Sequence, residues 1–176
     1  HSTEERTFGG GGSAGPYRGA KFSLFEGGIR VPAIVSFPGT LPQHEQRDQL
    51  AVSVDWLPTI AELCGVALPD RKIDGASLVD VIKSRETKAT HEVFHWQSGR
   101  GLGGNPQWAV REGDWKLIGN PNDTSNKAPI TKDDAFFLVN LSADPSEIHN
   151  LAGDHPEIVN RLKELHEHWL VEVEQQ

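Results

Sequence analysis

The sequence predicts an α/β fold in two parts: the tail of an α/β layer, then a small antiparallel sheet with one long helix laid across it. Three observations carry this. A proline-bounded apolar run, Ala33 to Phe37, precedes a segment with helical apolar spacing from Asp55 to Cys64. After about residue 88 the chain turns to short apolar and aromatic runs separated by turn residues. It then closes with a segment from about His155 in which Ile158, Leu162, Leu165, Trp169 and Val173 share one helical stripe.

Taken in order, residues 7–19 form a glycine-rich loop, because four consecutive glycines carry too much backbone entropy for a helix or strand. The loop lacks the Gly-Lys-Ser/Thr ending of a phosphate-binding P-loop. Ala33 to Phe37 suits a short buried strand near a sheet edge. Asp55 is placed to cap a helix carrying Leu57, Ile60, Ala61 and Cys64 on one stripe, and Gly65 to end it. Cys64 on that stripe reads as a packed thiol rather than a nucleophile. A shorter helix is expected over Ser77 to Ile82. Strands are expected at Val93 to Trp96, Trp108 to Glu112, Trp115 to Ile118 and Phe136 to Asn140, with a turn at Glu112-Gly113-Asp114. Asn120 to Asp134 reads as a long surface loop. Asp154 and Glu157 make a capping-box-like pair at the start of the last helix.

Bulk properties narrow the function. The 176 residues carry a formal net charge of -8, which argues against nucleic-acid binding, whose surfaces are basic. No apolar run reaches the 18 or so residues of a membrane span. A single cysteine excludes an intrachain disulfide. Small anionic substrates stay open, since charges are screened beyond roughly 8 Å at physiological salt.

Residues 15–39 include Gly19-Ala20-Lys21, an aromatic, Glu26-Gly27-Gly28-Ile29-Arg30-Val31-Pro32, an apolar run and Phe37-Pro38-Gly39. In this order they resemble the sulfatase family of the alkaline phosphatase superfamily. Val54 to Gly65 with its Asp55-Trp56-Leu57-Pro58-Thr59 start, Trp108 to Arg111, Trp115 to Ile118, and Phe137 to Ala152 with its Asp144-Pro145-Ser146-Glu147 turn extend the resemblance over nearly the whole chain. It implies that residues 1–88 are the C-terminal part of an alkaline-phosphatase-like α/β sandwich and residues 89–176 the sulfatase C-terminal subdomain. It also implies sulfuric ester hydrolysis, assisted by calcium and a formylglycine made from Cys or Ser in a Cys/Ser-x-Pro-x-Arg motif.

Cys64 lacks that motif's Pro and Arg, and no carboxylate cluster suggests calcium ligands. No metal site is therefore expected here, and the chain alone is expected to be inactive. His1 resembles the His that follows the family's calcium-binding Asp-Asn segment. By resemblance Lys21 contacts a sulfate oxygen. Glu26, Gly27, Gly28 and Arg30 read as a turn held by a Glu–Arg pair. His95, Gln97 and Arg100, beside the loop Gly101 to Pro106, are candidates for holding a sugar or a second anionic group. His44, His91, His149, His155, His166 and His168 show no metal-ligand spacing.

The expected partners are a sulfated carbohydrate or aryl sulfate substrate and an N-terminal catalytic segment, with apolar surface left bare where that segment packs and homo-oligomers as one way to cover it. The resemblance implies a periplasmic, extracellular or lysosomal setting. A phosphatase or phosphonate hydrolase of the same superfamily is an alternative. A non-catalytic binding module beginning near residue 89, with residues 1–40 disordered, is another.

Overall fold

The computed structural model describes residues 13–100, 106–123, 125, 130–131 and 134–175. His1, the four-glycine run up to Gly12 and most of the loop before Pro106 lie outside them. The chain divides into two compact units, one made of the residues up to Val31 together with those from Val93 onward, the other of Pro32–Glu92.

The first unit is built on four strands: β1 (Val93–Arg100), β2 (Pro106–Glu112), β3 (Trp115–Gly119) and β4 (Phe136–Asn140), antiparallel in the order β1-β2-β3-β4. Each strand falls where the apolar runs predict it, although β1 extends beyond Trp96 to include Gln97 and Arg100. Its register with β2 shifts between Gln97 and Arg100. Gly113, at φ 58°, makes the β2–β3 turn that a side chain would strain.

Strand alternation gives the sheet two working faces. Ala109, Ile118, Phe137 and Val139 point to one face, where they pack with Leu24, Phe25 and Leu141. Val110, Leu117 and Leu138 point to the other, beneath Val159 and Leu162 of helix α4 (Pro156–Glu174). The segment before Val31 therefore supplies one cover of the sheet, with Phe25 fully buried. The binding-module alternative expects that segment to be disordered.

Two details of α4 depart from expectation. Neither Asp154 nor Glu157 caps it: His155 holds the N-cap position without a side-chain cap and Pro156 enters the first turn, where a missing N–H costs nothing. The buried line runs through Val159, Leu162 and His166, with Ile158 and Leu165 partly buried, while Val173 is 47 % exposed. The helix is rolled toward His166 because that imidazole stacks on Trp108, at 4.2 Å between ring centroids and 9° between planes.

In the second unit, α2 (Trp56–Cys64) ends at Gly65 with φ 64°, as predicted, and α3 (Val79–Lys83) follows. The face of α2 differs from the prediction. Pro58, Thr59 and Ala61 are buried, whereas Leu57, Ile60 and Cys64 are exposed. Polar anchors set this roll. Buried Asp55 accepts from the N–H groups of Val52 and Ala76, at 2.9 Å each, and meets His91 Nε2 at 2.7 Å. Thr59 Oγ1 donates to the Asp55 carbonyl at 2.6 Å and accepts from Leu78 N–H at 2.9 Å. Asp55 thus ties the helix to residues 76 and 91 rather than capping it. Ala33 to Phe37 forms no strand and Ile34 is 94 % exposed. No described strand pairs with that run, and apolar content alone does not supply one.

Leu162→Ala should destabilise the chain by about 2–5 kcal/mol, the cost of a cavity at a fully buried leucine. Val173→Ala should stay within about 0.5 kcal/mol. Urea unfolding of both variants checks the observed roll of α4, and equal losses would contradict it.

Candidate functional site

The turn that carries Lys21 is built from its backbone outward. Arg18 and Gly19 enter it, Ala20 to Ser23 reverse the chain through a Ser23 N–H bond to the Ala20 carbonyl at 3.0 Å, and Leu24 and Phe25 drop into the core. One turn of helix, α1 (Glu26–Ile29), closes it. The paired glycines are required by close approach. A Cβ on Gly27 would collide with the carbonyls of Arg18 and Gly19, and one on Gly28 with those of Ser23 and Ala20. Gly27 N–H instead donates to the Arg18 carbonyl at 2.6 Å.

The expected Glu26–Arg30 pair exists but is loose, at 3.7 Å with Arg30 47 % exposed. The main partner of Glu26 comes from β3. Lys116, fully buried, places Nζ 2.9 Å from Glu26 Oε1 and 3.0 Å from Glu147 Oε1. The second Glu147 oxygen accepts the Glu26 N–H, and the Glu147 carbonyl accepts Arg18 Nη1 at 2.9 Å. Arg18, also fully buried, donates from Nε to Asp123 at 2.7 Å and lies 4.2 Å above the Phe25 ring centroid. Asp123 in turn accepts from Ser125, whose Oγ receives the Gly19 N–H at 2.9 Å. Asp123 and Ser125 are thus buried partners within a stretch expected to be surface loop.

Burial pushes the Glu26 carboxyl up, but Lys116 outweighs it, helped by Arg111 and Arg30, and the group lies below its ordinary range. For Glu147 burial prevails over Lys116, the charge of Glu26 adds to it, and the carboxyl is raised. One ammonium between two buried carboxylates produces this asymmetry.

Lys21 itself is exposed, its ammonium 5.0 Å from the Phe22 ring centroid. His95 lies on the opposite face of the sheet, stacked 5.0 Å from Trp169 and 5.7 Å from His166. Exposed Gln97 is paired with Trp108, and Arg100 ends β1 beside Pro106. The structure therefore does not bring His95 together with Lys21. It does set the end of β1 beside the start of β2, where Gln107 meets the Lys21 turn. The roles of Lys116, Glu147, Arg18 and Gln107 at this turn were not legible in the sequence. A visible signal for Lys116 was a charged residue inside the run Trp115 to Gly119, whose other members are apolar or small.

Among the described residues, no three His, Cys, Asp or Glu side chains could hold a metal ion. Glu26 and Glu147 are already engaged by Lys116. These residues do not fit a calcium centre.

A family model described as N-sulphoglucosamine sulphohydrolase, C-terminal, matches residues 19–176. The chain belongs to the sulfatase family. This sulfatase chain is 32 % identical to human arylsulfatase A over 174 residues, covering 88 % of the chain and 33 % of that protein. It is 31 % identical to N-acetylgalactosamine-6-O-sulfatase of Bacteroides thetaiotaomicron over 157 residues, covering 86 % and 29 %. Among solved structures it resembles a B. thetaiotaomicron protein from work on the metabolism of multiple glycosaminoglycans, with a TM-score of 0.69 and 27 % identity over 92 % of the chain and 32 % of that structure. The sulfatase chain thus spans no more than about a third of these relatives, and its fold is that of their alkaline-phosphatase-like architecture.

Lys116→Met should cost about 3–5 kcal/mol, because it strands two buried carboxylates; denaturant unfolding measures it. A second expectation concerns the imidazoles. Burial, reinforced by His166, holds His95 at about 4 instead of 6.5, and burial lowers His166 against the opposing charge of Glu167. The unfolded imidazole takes up a proton that the folded one refuses, so this stability is complete above pH 6.5 and declines as the pH falls toward 4. His95→Phe should flatten the thermal midpoint over that interval, and an unchanged slope would remove His95 as its source.

Proposed function

We propose that this chain forms part of a larger hydrolase of sulfuric esters, probing sulfated carbohydrates through Lys21. The observation that carries the reading is the Glu26-Gly27-Gly28 turn, locked by buried charge so that Lys21 is presented outward on a fixed backbone. The ammonium stands against a sulfate oxygen and offsets the charge that grows as the S–O bond breaks. Arg100, at the end of β1 beside the start of β2, serves as a contact for the rest of the substrate in the same reading, whereas Gln97, paired with Trp108, lies on the face away from Lys21. His95 belongs to the packing of α4.

The sugar-sulfate class is supported by the names of relatives: one is an N-acetylgalactosamine-6-O-sulfatase, and a structural neighbour comes from glycosaminoglycan metabolism. A periplasmic, extracellular or lysosomal setting follows from such substrates. By resemblance, calcium and a formylglycine supply the cation and the nucleophile in the larger enzyme, and the described residues hold neither. Exposed Val31, Ile34, Leu57, Ile60 and Val66 support a chain that packs against further protein. Alone it is expected to be inert.

Hydrolysis of an aryl sulfate with added calcium, by this chain and by the full-length enzyme, tests the reading. The expected outcome is turnover by the longer protein only, with Lys21→Ala lowering its kcat by roughly a hundredfold, or about 3 kcal/mol of barrier. Turnover by the 176 residues alone would refute it.

A further inference from the structure

We infer that Gln107 is a positioning residue for Lys21, acting through the backbone of Phe22; the inference rests on the reading of Lys21 given above. Phe22 has φ 74°, in the left-handed region. An aromatic residue there is a true outlier, costing about 1–3 kcal/mol and persisting only where its surroundings over-determine it. The fixings are visible on both sides. Gln107 Nε2 donates to the Phe22 carbonyl at 2.9 Å, and Ser23 Oγ donates to the Asn122 carbonyl at 2.8 Å. Phe22 directly follows Lys21, and the carbonyl that Gln107 grips belongs to the Phe22–Ser23 peptide, so the bond holds the backbone of Phe22 in the conformation on which the direction of the lysine depends.

Gln107 is poorly explained by stability alone. It is 1 % exposed on β2, and its Oε1 is buried with no hydrogen-bond partner among the described residues. An unsatisfied buried acceptor costs about 1–3 kcal/mol. The benefit is one bond to a carbonyl of a residue that is 54 % exposed, where water could serve equally well. An apolar side chain of the same shape would suit this strand position better. The amide cannot simply be reversed, because Oε1 would then face the Phe22 oxygen. What glutamine supplies, and leucine does not, is a donor at a fixed point beneath the Lys21 turn.

The test is a double-mutant cycle in the full-length enzyme, read with an aryl sulfate and calcium. Gln107→Leu should lower kcat about 10- to 100-fold, the range for a misplaced catalytic group, with little change in KM and no loss of thermal midpoint. In a Lys21→Ala background the same substitution should add nothing. Gln107→Glu keeps the shape but replaces the donor with an acceptor. It should show the same loss, and the loss should shrink relative to the parent as falling pH returns a proton that can bond the Phe22 carbonyl. A residue that merely supports the fold would give neither the non-additivity nor the recovery. If Lys21→Ala lowers turnover and neither Gln107 variant does, or if the two losses add independently, the inference is overturned and the Lys21 reading stands. If Lys21→Ala has no effect, both fall together.

Discussion

The buried ammonium of Lys116 between Glu26 and Glu147 holds together parts of the chain that are 90 and 31 residues away from it. Ion pairs of this kind seldom stabilise a fold more than packed hydrocarbon would, because desolvation consumes most of the Coulomb energy. Their value lies in specificity. Lys116 accepts only a geometry that brings both carboxylates to it, and Glu147 adds a demand on the Glu26 N–H and, through its carbonyl, on Arg18. The glycine turn, the Asp-Pro-x-Glu turn and the third strand are thereby fixed relative to one another.

The sheet separates two tasks. One face receives the segment before Val31, with its charges and the Lys21 turn, and the other receives α4 through apolar and aromatic contacts. Two of the left-handed non-glycine residues, Phe22 and Glu147 with φ 54°, belong to the first face. The second face carries its own tension, in buried imidazole nitrogens with no hydrogen-bond partner among the described residues: His95 Nδ1 and both His166 ring nitrogens. Stacking on Trp108 and Trp169 offsets part of that cost by dispersion.

The four strands were legible in the sequence because alternation and turn glycines are local signals. The family's motifs were legible because they are contiguous. The roll of the helices was not. The stripe of α2 placed Leu57 and Ile60 inward, but Asp55 and Thr59 bind backbone groups near residues 76–78, and that long-range polar tether overrides periodicity. In α4 a histidine took a core position that hydropathy assigns to the solvent side. Glu26 was legible as scaffold from its motif, yet its main partner was not, since Arg30 lies four residues away and Lys116 lies 90. Gln107 carried no signal at all. Its importance arises from a carbonyl 85 residues earlier, made available only by the conformation of Phe22.

Gln107 and Trp108 are consecutive on β2 and face opposite ways, one gripping the Lys21 turn and the other stacked on His166. The sheet is a single layer here, so the two faces share the same peptide unit. A change in how the last helix rests on Trp108 has one Cα–Cα step of about 3.8 Å to cross before it reaches the donor beneath Lys21. The terminal helix, far from any chemistry in sequence, is thereby mechanically next to it.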